Sequence, residues 1–284
     1  QNGRLAKSDF RYEYWSTNFM TNFHKRFGDF DMHLMAGTTA ESTKRMNQTH
    51  WGYNFITLGT VSFNNIAKTN QFFKDGTSRK RLVGFYGEYG VSYKNMAYLT
   101  VTGRNDWSST LPVNERSYFY PSVSGSFLFS ELLPKDCPVS YGKVRASWAK
   151  VGKDADPYAT LTYVTAPMIY GNFVGVGNQY TAGNAYLKPE IQTAWEIGLE
   201  MRFLNNRIGF DWTYYHSSTK NQIAQPRLSN ANGYILSSIN SGSVINKGME
   251  IAITGKPVIT KDFRWETSLN FSYNRGTLGT FLDG

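Results

Sequence analysis

Residues 193–215, TAWEIGLEMRFLNNRIGFDWTYY, alternate apolar and polar side chains with a period of two, which a helix cannot do and a half-buried strand must. Trp195, Ile197, Leu199, Met201 and Phe203 fall on one face, and Glu196, Gly198, Glu200 and Arg202 on the other. After Asn205-Asn206 the pattern resumes, with Ile208, Phe210, Trp212 and Tyr214 opposite Gly209, Asp211, Thr213 and Tyr215. A two-residue hairpin loop at Asn205-Asn206 sets Leu204 across from Arg207, and therefore Phe203 against Ile208, Met201 against Phe210 and Leu199 against Trp212. A slip of one residue sets apolar side chains against charges, so the match tests the hairpin.

The same test passes around Gly28-Asp29, between FRYEYWSTNFMTNFHKRF and FDMHLMAGTT. Phe27 opposes Phe30, Phe23 opposes Leu34, Phe19 opposes Thr38, and Arg26 lies across from Asp31 on the polar side. A third hairpin is predicted from Leu82 to Trp107 around Lys94-Asn95-Met96, with Phe85, Tyr89, Val91 and Tyr93 sharing a face with Ala97, Leu99 and Val101. Further strands at 118–129, 140–151, 244–255 and 263–274 bring the expected total to ten. Each meets or exceeds the 9–11 residues that a tilted membrane strand needs, about.

The predicted connections alternate in length. Tight turns near 28, 95 and 205 and short connections at 131–139 and 257–262 alternate with longer ones at 44–79, 108–117, 152–191 and 218–243. Short turns on one rim and long loops on the other characterise outer-membrane barrels. A soluble sandwich or propeller also alternates its residues, but rarely has several loops of this length or strands this long, and no blade-like repeat is visible.

Composition agrees. Aromatic residues make up 16% of the chain although hydrophobic residues are only 40%, and the mean hydropathy is -0.44. Alternating strands average out in this way, and no stretch is apolar enough for a membrane helix. The net charge of +9 comes from dispersed Lys and Arg rather than a basic stripe, so no nucleic-acid partner is expected. Cys137 has no second cysteine to pair with, and the four His lack ligand spacing, so neither a metal nor a cofactor is expected. Gln1 opens into polar sequence without a leader-like run, as expected of a mature chain or a fragment.

Five segments in order resemble the SusC/RagA family of TonB-dependent outer-membrane transporters of Bacteroidetes. They are RNDWSSTLP at 104–112, YFYPSVSGSFLFSELL at 118–133, YGKVRASWAKVGKDADPY at 141–158, LKPEIQTAWEIGLEMRFLNNRIGFDWTYYHSSTKNQI at 187–223 and NKGMEIAITGKPVITKDFRWETSLNFSYN at 246–274. The resemblance covers most of 80–275. It implies an all-β antiparallel transmembrane barrel of about 22 strands, closed by an N-terminal plug. This chain accounts for about ten of those strands and shows neither the plug nor a TonB-engaging segment, so residues 1–284 are expected to be part of the barrel domain. The resemblance also implies a bacterial outer-membrane location, active import of an oligosaccharide or oligopeptide driven through TonB, and a SusD-like surface lipoprotein acting as a lid. Lipid bilayer and lipopolysaccharide are then expected around the wall.

No catalytic constellation is present. Glu88, Arg104, Glu196, Glu200, Arg202 and Asp211 share the polar face and are expected to line the lumen as a solvated or plug-facing ionic surface, not to act as paired acid and base. Trp15, Trp148, Trp195, Trp212 and Trp265 fall on lipid-type positions. The candidates for substrate or partner contact are aromatics assigned to loops, Trp51, Tyr53, Trp107, Tyr158, Tyr163, Tyr170, Tyr180 and Tyr234, whose rings suit stacking on sugars or packing against protein. The bland alternative for each is packing within the loops or in an interfacial girdle. A passive porin is the competing function. A barrel enzyme or a purely structural docking wall are further ones.

Overall fold

The alternation is realised as one antiparallel sheet. The computed structural model describes residues 3–134, 136–165, 168–170 and 173–279, without the side chains of 168–170, 173, 174 and 230. Its ten long strands are β1 (Arg4–Phe27), β2 (Phe30–Tyr53), β3 (Gln71–Tyr93), β4 (Ala97–Ser108), β5 (Ser117–Phe127), β6 (Val139–Lys153), β7 (Glu190–Phe203), β8 (Ile208–Lys220), β9 (Val244–Ile259) and β10 (Arg264–Leu278). Each pairs with its neighbour in chain order, leaving β1 and β10 as the two edges of an open meander.

The three hairpin registers match those expected from the sequence. Phe27 pairs with Phe30, Phe23 with Leu34 and Arg26 with Asp31. Tyr93 pairs with Ala97 and Val91 with Leu99, while Phe203 pairs with Ile208 and Leu199 with Trp212. The turn after β7 is longer than expected. Leu204, Asn205 and Asn206 all take left-handed φ values, 52°, 54° and 64°, and the Arg207 amide donates back to the Phe203 carbonyl at 3.0 Å. Leu204 therefore does not pair with Arg207, but the ladder above is unshifted.

Two further expectations are corrected. The segment 44–79 is mostly strand: β2 and β3 run 24 and 23 residues, and only 54–70 connects them. The alternation of connection lengths also breaks once, because the lower connection 128–138 is longer than the upper 109–116 before it. The other lower turns are 28–29, 94–96, 204–207 and 260–263, and the other upper connections are 54–70, 154–189 and 221–243. In the 94–96 turn, the neighbouring Tyr93 hydroxyl and then Asp29 hold the Lys94 ammonium above its ordinary pKa.

Pairing gathers the apolar side chains into a band on one face, on the half of the strands nearer the tight turns. A single row runs Phe23, Leu34, Tyr89, Val101, Val123, Trp148 and Trp195 across β1 to β7. Trp15, Trp212 and Trp265 share that face, as expected. These side chains are not covered by protein: Phe19 is 67% exposed and Leu269 65%. The accessible surface is 19407 Å², against roughly 12,000 Å² for a compact chain of this mass. Such a face is stable only against an apolar medium. Among the described residues, the buried apolar cluster lies at the upper rim, where Leu111, Tyr118, Ala155 and Leu187 pack beneath the long connections. Among the described residues, no helix is long and apolar enough to cross a membrane.

Candidate functional site

The polar face carries three tiers of charge. Nearest the tight turns, His24 and Asp31 meet at 2.5 Å, and His33 and Glu88 at 3.0 Å. In the middle, Arg145 of β6 reaches across to β8, donating to Thr213 Oγ1 at 2.6 Å and Asp211 at 3.4 Å, with Glu196 at 3.6 Å. Gly198 makes this reach possible, because a β-carbon there would overlap the guanidinium. Glu200 and Arg202 pair separately at 2.8 Å.

At the upper rim the strands are tied to the crown of connections. Arg104 Nε donates to Asp106 at 2.8 Å, and Arg104 Nη2 donates to Thr39 at 3.0 Å. Tyr120 donates its hydroxyl to the same Asp106 carboxylate. Gly84 beneath them leaves the space that Asp106 and Arg104 fill. Asp154, which opens the connection 154–189, accepts from Lys80 Nζ at 2.5 Å, from Ser108 Oγ, and from Thr110 Oγ1 at 3.3 Å. Further along, Glu190 accepts from the Ile223 amide at 2.8 Å and pairs with Lys153 at 3.4 Å. Asn240 clamps two connections together. Its amide oxygen accepts from the Lys188 N–H, and its Nδ2 donates to the Lys188 and Asn221 carbonyls, all at 2.9 Å.

Beneath the 154–157 turn lies a hollow of about 330 Å³, lined among others by Tyr12, Glu41, Arg45, Lys80, Lys153 and Asp156. Among the described residues, Glu41, Arg45 and Asp156 have no salt-bridge partner within 4.0 Å. Arg45 lies over the Tyr12 ring, 5.9 Å from its centroid, and Tyr12 stacks with Tyr14. The hollow thus offers unpaired charge of both signs beside an aromatic face. Among the described residues, no group of three or more His, Cys, Asp or Glu side chains is disposed to hold a metal ion.

The six wall residues all lie on the polar face, but in separate pairs: Glu88 with His33, Arg104 with Asp106, Glu200 with Arg202, and Glu196 and Asp211 about Arg145. The aromatic candidates divide more sharply. Trp51 and Tyr53 are not in a loop but end β2, both stacked on Phe72. Trp107 is in β4, on the apolar face, edge-on to Phe85. It belongs to the outer wall because it shares strand parity with Leu99 and Val101.

Tyr158, Tyr163, Tyr180 and Tyr234 do lie in the upper connections. Tyr158 accepts from the Arg79 amide at 3.3 Å, and the Tyr180 carbonyl accepts from the Ile235 and Leu236 amides. Tyr170 falls on residues whose side chains lie outside the described set. Sequence reasoning passed over Tyr186, 85% exposed in the crown. It also passed over Asp106, Asp154 and Asn240. The first two sit inside the quoted segments RNDWSSTLP and KVGKDADPY, which were the available signal.

Comparison with known proteins places this geometry. A family model described as TonB dependent receptor-like, beta-barrel, matches residues 1–284. The TonB-dependent receptor SusC of Bacteroides thetaiotaomicron is 32% identical over 219 residues, covering 73% of this chain and 22% of that protein. TonB-dependent receptor P3 of Formosa agariphila is 25% identical over 281 residues, covering 95% of this chain and 27% of that one. The chain thus spans about a quarter of the length of these curated relatives. Among solved structures, the RagAB peptide transporter superposes with a TM-score of 0.89 at 20% identity, covering 99% of this chain and 32% of that one. The ferripyoverdine receptor of Pseudomonas aeruginosa gives 0.61 at 15% identity, covering 98% and 35%.

Proposed function

Because the chain belongs to the TonB dependent receptor-like β-barrel family of the bacterial outer membrane, we propose that it is a section of the wall of a SusC-like importer that takes up a large nutrient under TonB drive. The apolar face lies in the bilayer and the polar face lines the lumen. Edges β1 and β10 pair with further strands of the same barrel, since unpaired backbone is untenable in hydrocarbon. A SusD-like lipoprotein closes the mouth over the crown that Asp154 and Asn240 hold together. Transport, not catalysis, is the activity of this wall.

The observation that carries the reading is the two-faced sheet with a crown built on one rim only. Of the two nutrient classes, the hollow favours an oligopeptide. A zwitterionic backbone offers a carboxylate to Arg45 and an ammonium to Glu41 and Asp156, whereas a neutral glycan leaves all three charges unused. A neighbour at TM-score 0.89 is described as a peptide transporter.

Uptake of labelled oligopeptides and oligosaccharides by cells producing the intact protein, with and without TonB, tests this. Peptide uptake that disappears without TonB is expected. A large, steady conductance of the intact protein in a planar bilayer would instead identify a passive porin.

A further inference from the structure

Across β7, β8, β9 and β10 the apolar face ends in one row: Trp195 pairs with His216, His216 with Lys247, and Lys247 with Arg275. The row below is Ile197, Tyr214, Met249 and Tyr273, and the row above is Thr193, Ser218, Ile245 and Thr277. Trp195 also stacks on the His216 ring, with centroids 5.7 Å apart. On β6, Lys150 points outward one row higher, over the Trp148 ring.

Within β6 to β10, charge on this face is one-sided. By strand parity, the outward positions within β6 to β10 include Lys150, Lys220, Lys247 and Arg275 and neither Asp nor Glu. The opposite face of the same strands mixes both signs, with Arg145, Glu196, Glu200, Arg202 and Asp211. Lys150, Lys247 and Arg275 have no carboxylate within 4.0 Å among the described residues, and Lys247 and Arg275 are exposed.

Height identifies what they face. On β10 the outward apolar stretch runs from Trp265 to Tyr273, with Arg275 next. The ten steps from Trp265 to Arg275 span roughly 33 Å along the strand, or about 25 Å along the membrane normal once the strand tilt is applied, matching the height of a barrel's apolar band. The cations therefore stand where acyl chains give way to headgroups, each with an aromatic ring beside or beneath it.

The geometry points to a phosphate-binding strip for the phosphorylated glycolipid of the outer leaflet, with Lys247 and Arg275 holding the phosphate and Lys150 and His216 flanking it. The acyl chains lie along Tyr214, Met249 and Tyr273. Hydrocarbon below and anions above account both for the absence of carboxylates from this face of β6 to β10 and for the change of composition within one row, whereas on β1 the same face carries Asp9 and Glu13 above the apolar band, paired with Lys7, Arg11 and Lys44. The inference rests on the reading that the rim with long connections faces the cell exterior.

The test titrates the intact, delipidated protein in detergent with fluorescent lipid A, with the same lipid after phosphatase treatment, and with inorganic phosphate as competitor. A cation near a membrane surface contributes about five-fold in affinity, so K247Q/R275Q should bind lipid A about 30-fold more weakly. K143Q, on the polar face, should bind as the parent does, and all variants should retain the heat-modifiable gel mobility of a folded barrel. Unchanged affinity in the double variant, equal binding of dephosphorylated lipid, or inorganic phosphate binding as tightly as lipid A overturns the inference. Orientation is read separately by labelling Y186C on whole cells with a membrane-impermeant maleimide. Without labelling the orientation itself fails, whereas labelling with unchanged lipid affinity removes only the phosphate strip.

Discussion

Gly198 lies directly across the ladder from Arg145, and the guanidinium occupies the space that a side chain at 198 would take. From there Arg145 bridges to Thr213 and Asp211 two strands away from its own. Gly198→Ala should push the guanidinium off these partners. At a site this exposed, the loss should be about 1 kcal/mol. Unfolding of the intact barrel in denaturant, followed by gel mobility, measures it. In an Arg145→Ala background the same substitution should be nearly neutral, and an undiminished loss there would show that Arg145 is not the group displaced.

Asp154 joins donors from two strands and a connection, Lys80 of β3, Ser108 at the end of β4 and Thr110 just beyond it, to the start of the crown. Its removal leaves a cation and two hydroxyls without their acceptor, a loss of about 2 kcal/mol. The damage should be local, because the ladders β1 to β10 do not depend on it. Amide exchange in 154–189 should accelerate about 30-fold in Asp154→Ala while β7 and β8 are unchanged. Asp156→Ala, whose carboxylate has no salt-bridge partner among the described residues, should leave exchange as it is.

The strands were legible wherever one face meets lipid, because that solvent enforces alternation residue by residue, as at Leu199 to Phe203. Where β2 and β3 rise above the apolar band the alternation ends. Lys44, Arg45, Asn47 and Gln48 put polar groups on both faces, so a paired strand reads as a loop. Trp107 was misplaced for a related reason, since its surroundings RNDWSSTLP look turn-like, although parity from Leu99 and Val101 assigns it to the outer wall. The long connections of the crown were legible as loops, but the ties that hold them were not. Lys80 and Asp154 are 74 residues apart, and only the ordering of β3 to β6 brings them together.

Leu204 adopts φ 52° in the turn after β7, where a branched side chain is disfavoured. Leu204→Gly should relieve roughly 1 kcal/mol of that strain, partly offset by the added freedom of glycine in the unfolded chain. A small net stabilisation is expected, seen as a slower unfolding rate in detergent. Destabilisation would instead indicate a two-residue turn with Leu204 extended and paired to Arg207.

The hollow under the 154–157 turn separates the two nutrient classes through charge. Arg45 lies over the Tyr12 ring and Glu41 faces the same space, and among the described residues neither has a salt-bridge partner. If a peptide passes here, Arg45→Gln loses a charge-assisted contact at a wet site, about 1 kcal/mol. The concentration for half-maximal peptide uptake should then rise about five-fold, with the maximal rate little changed. Glu41→Gln should do the same for peptides with a free amino terminus and nothing for acetylated ones. A glycan-binding hollow reverses this pattern: both charge variants would be silent, and Tyr12→Ala, which removes the stacking face, would carry the loss.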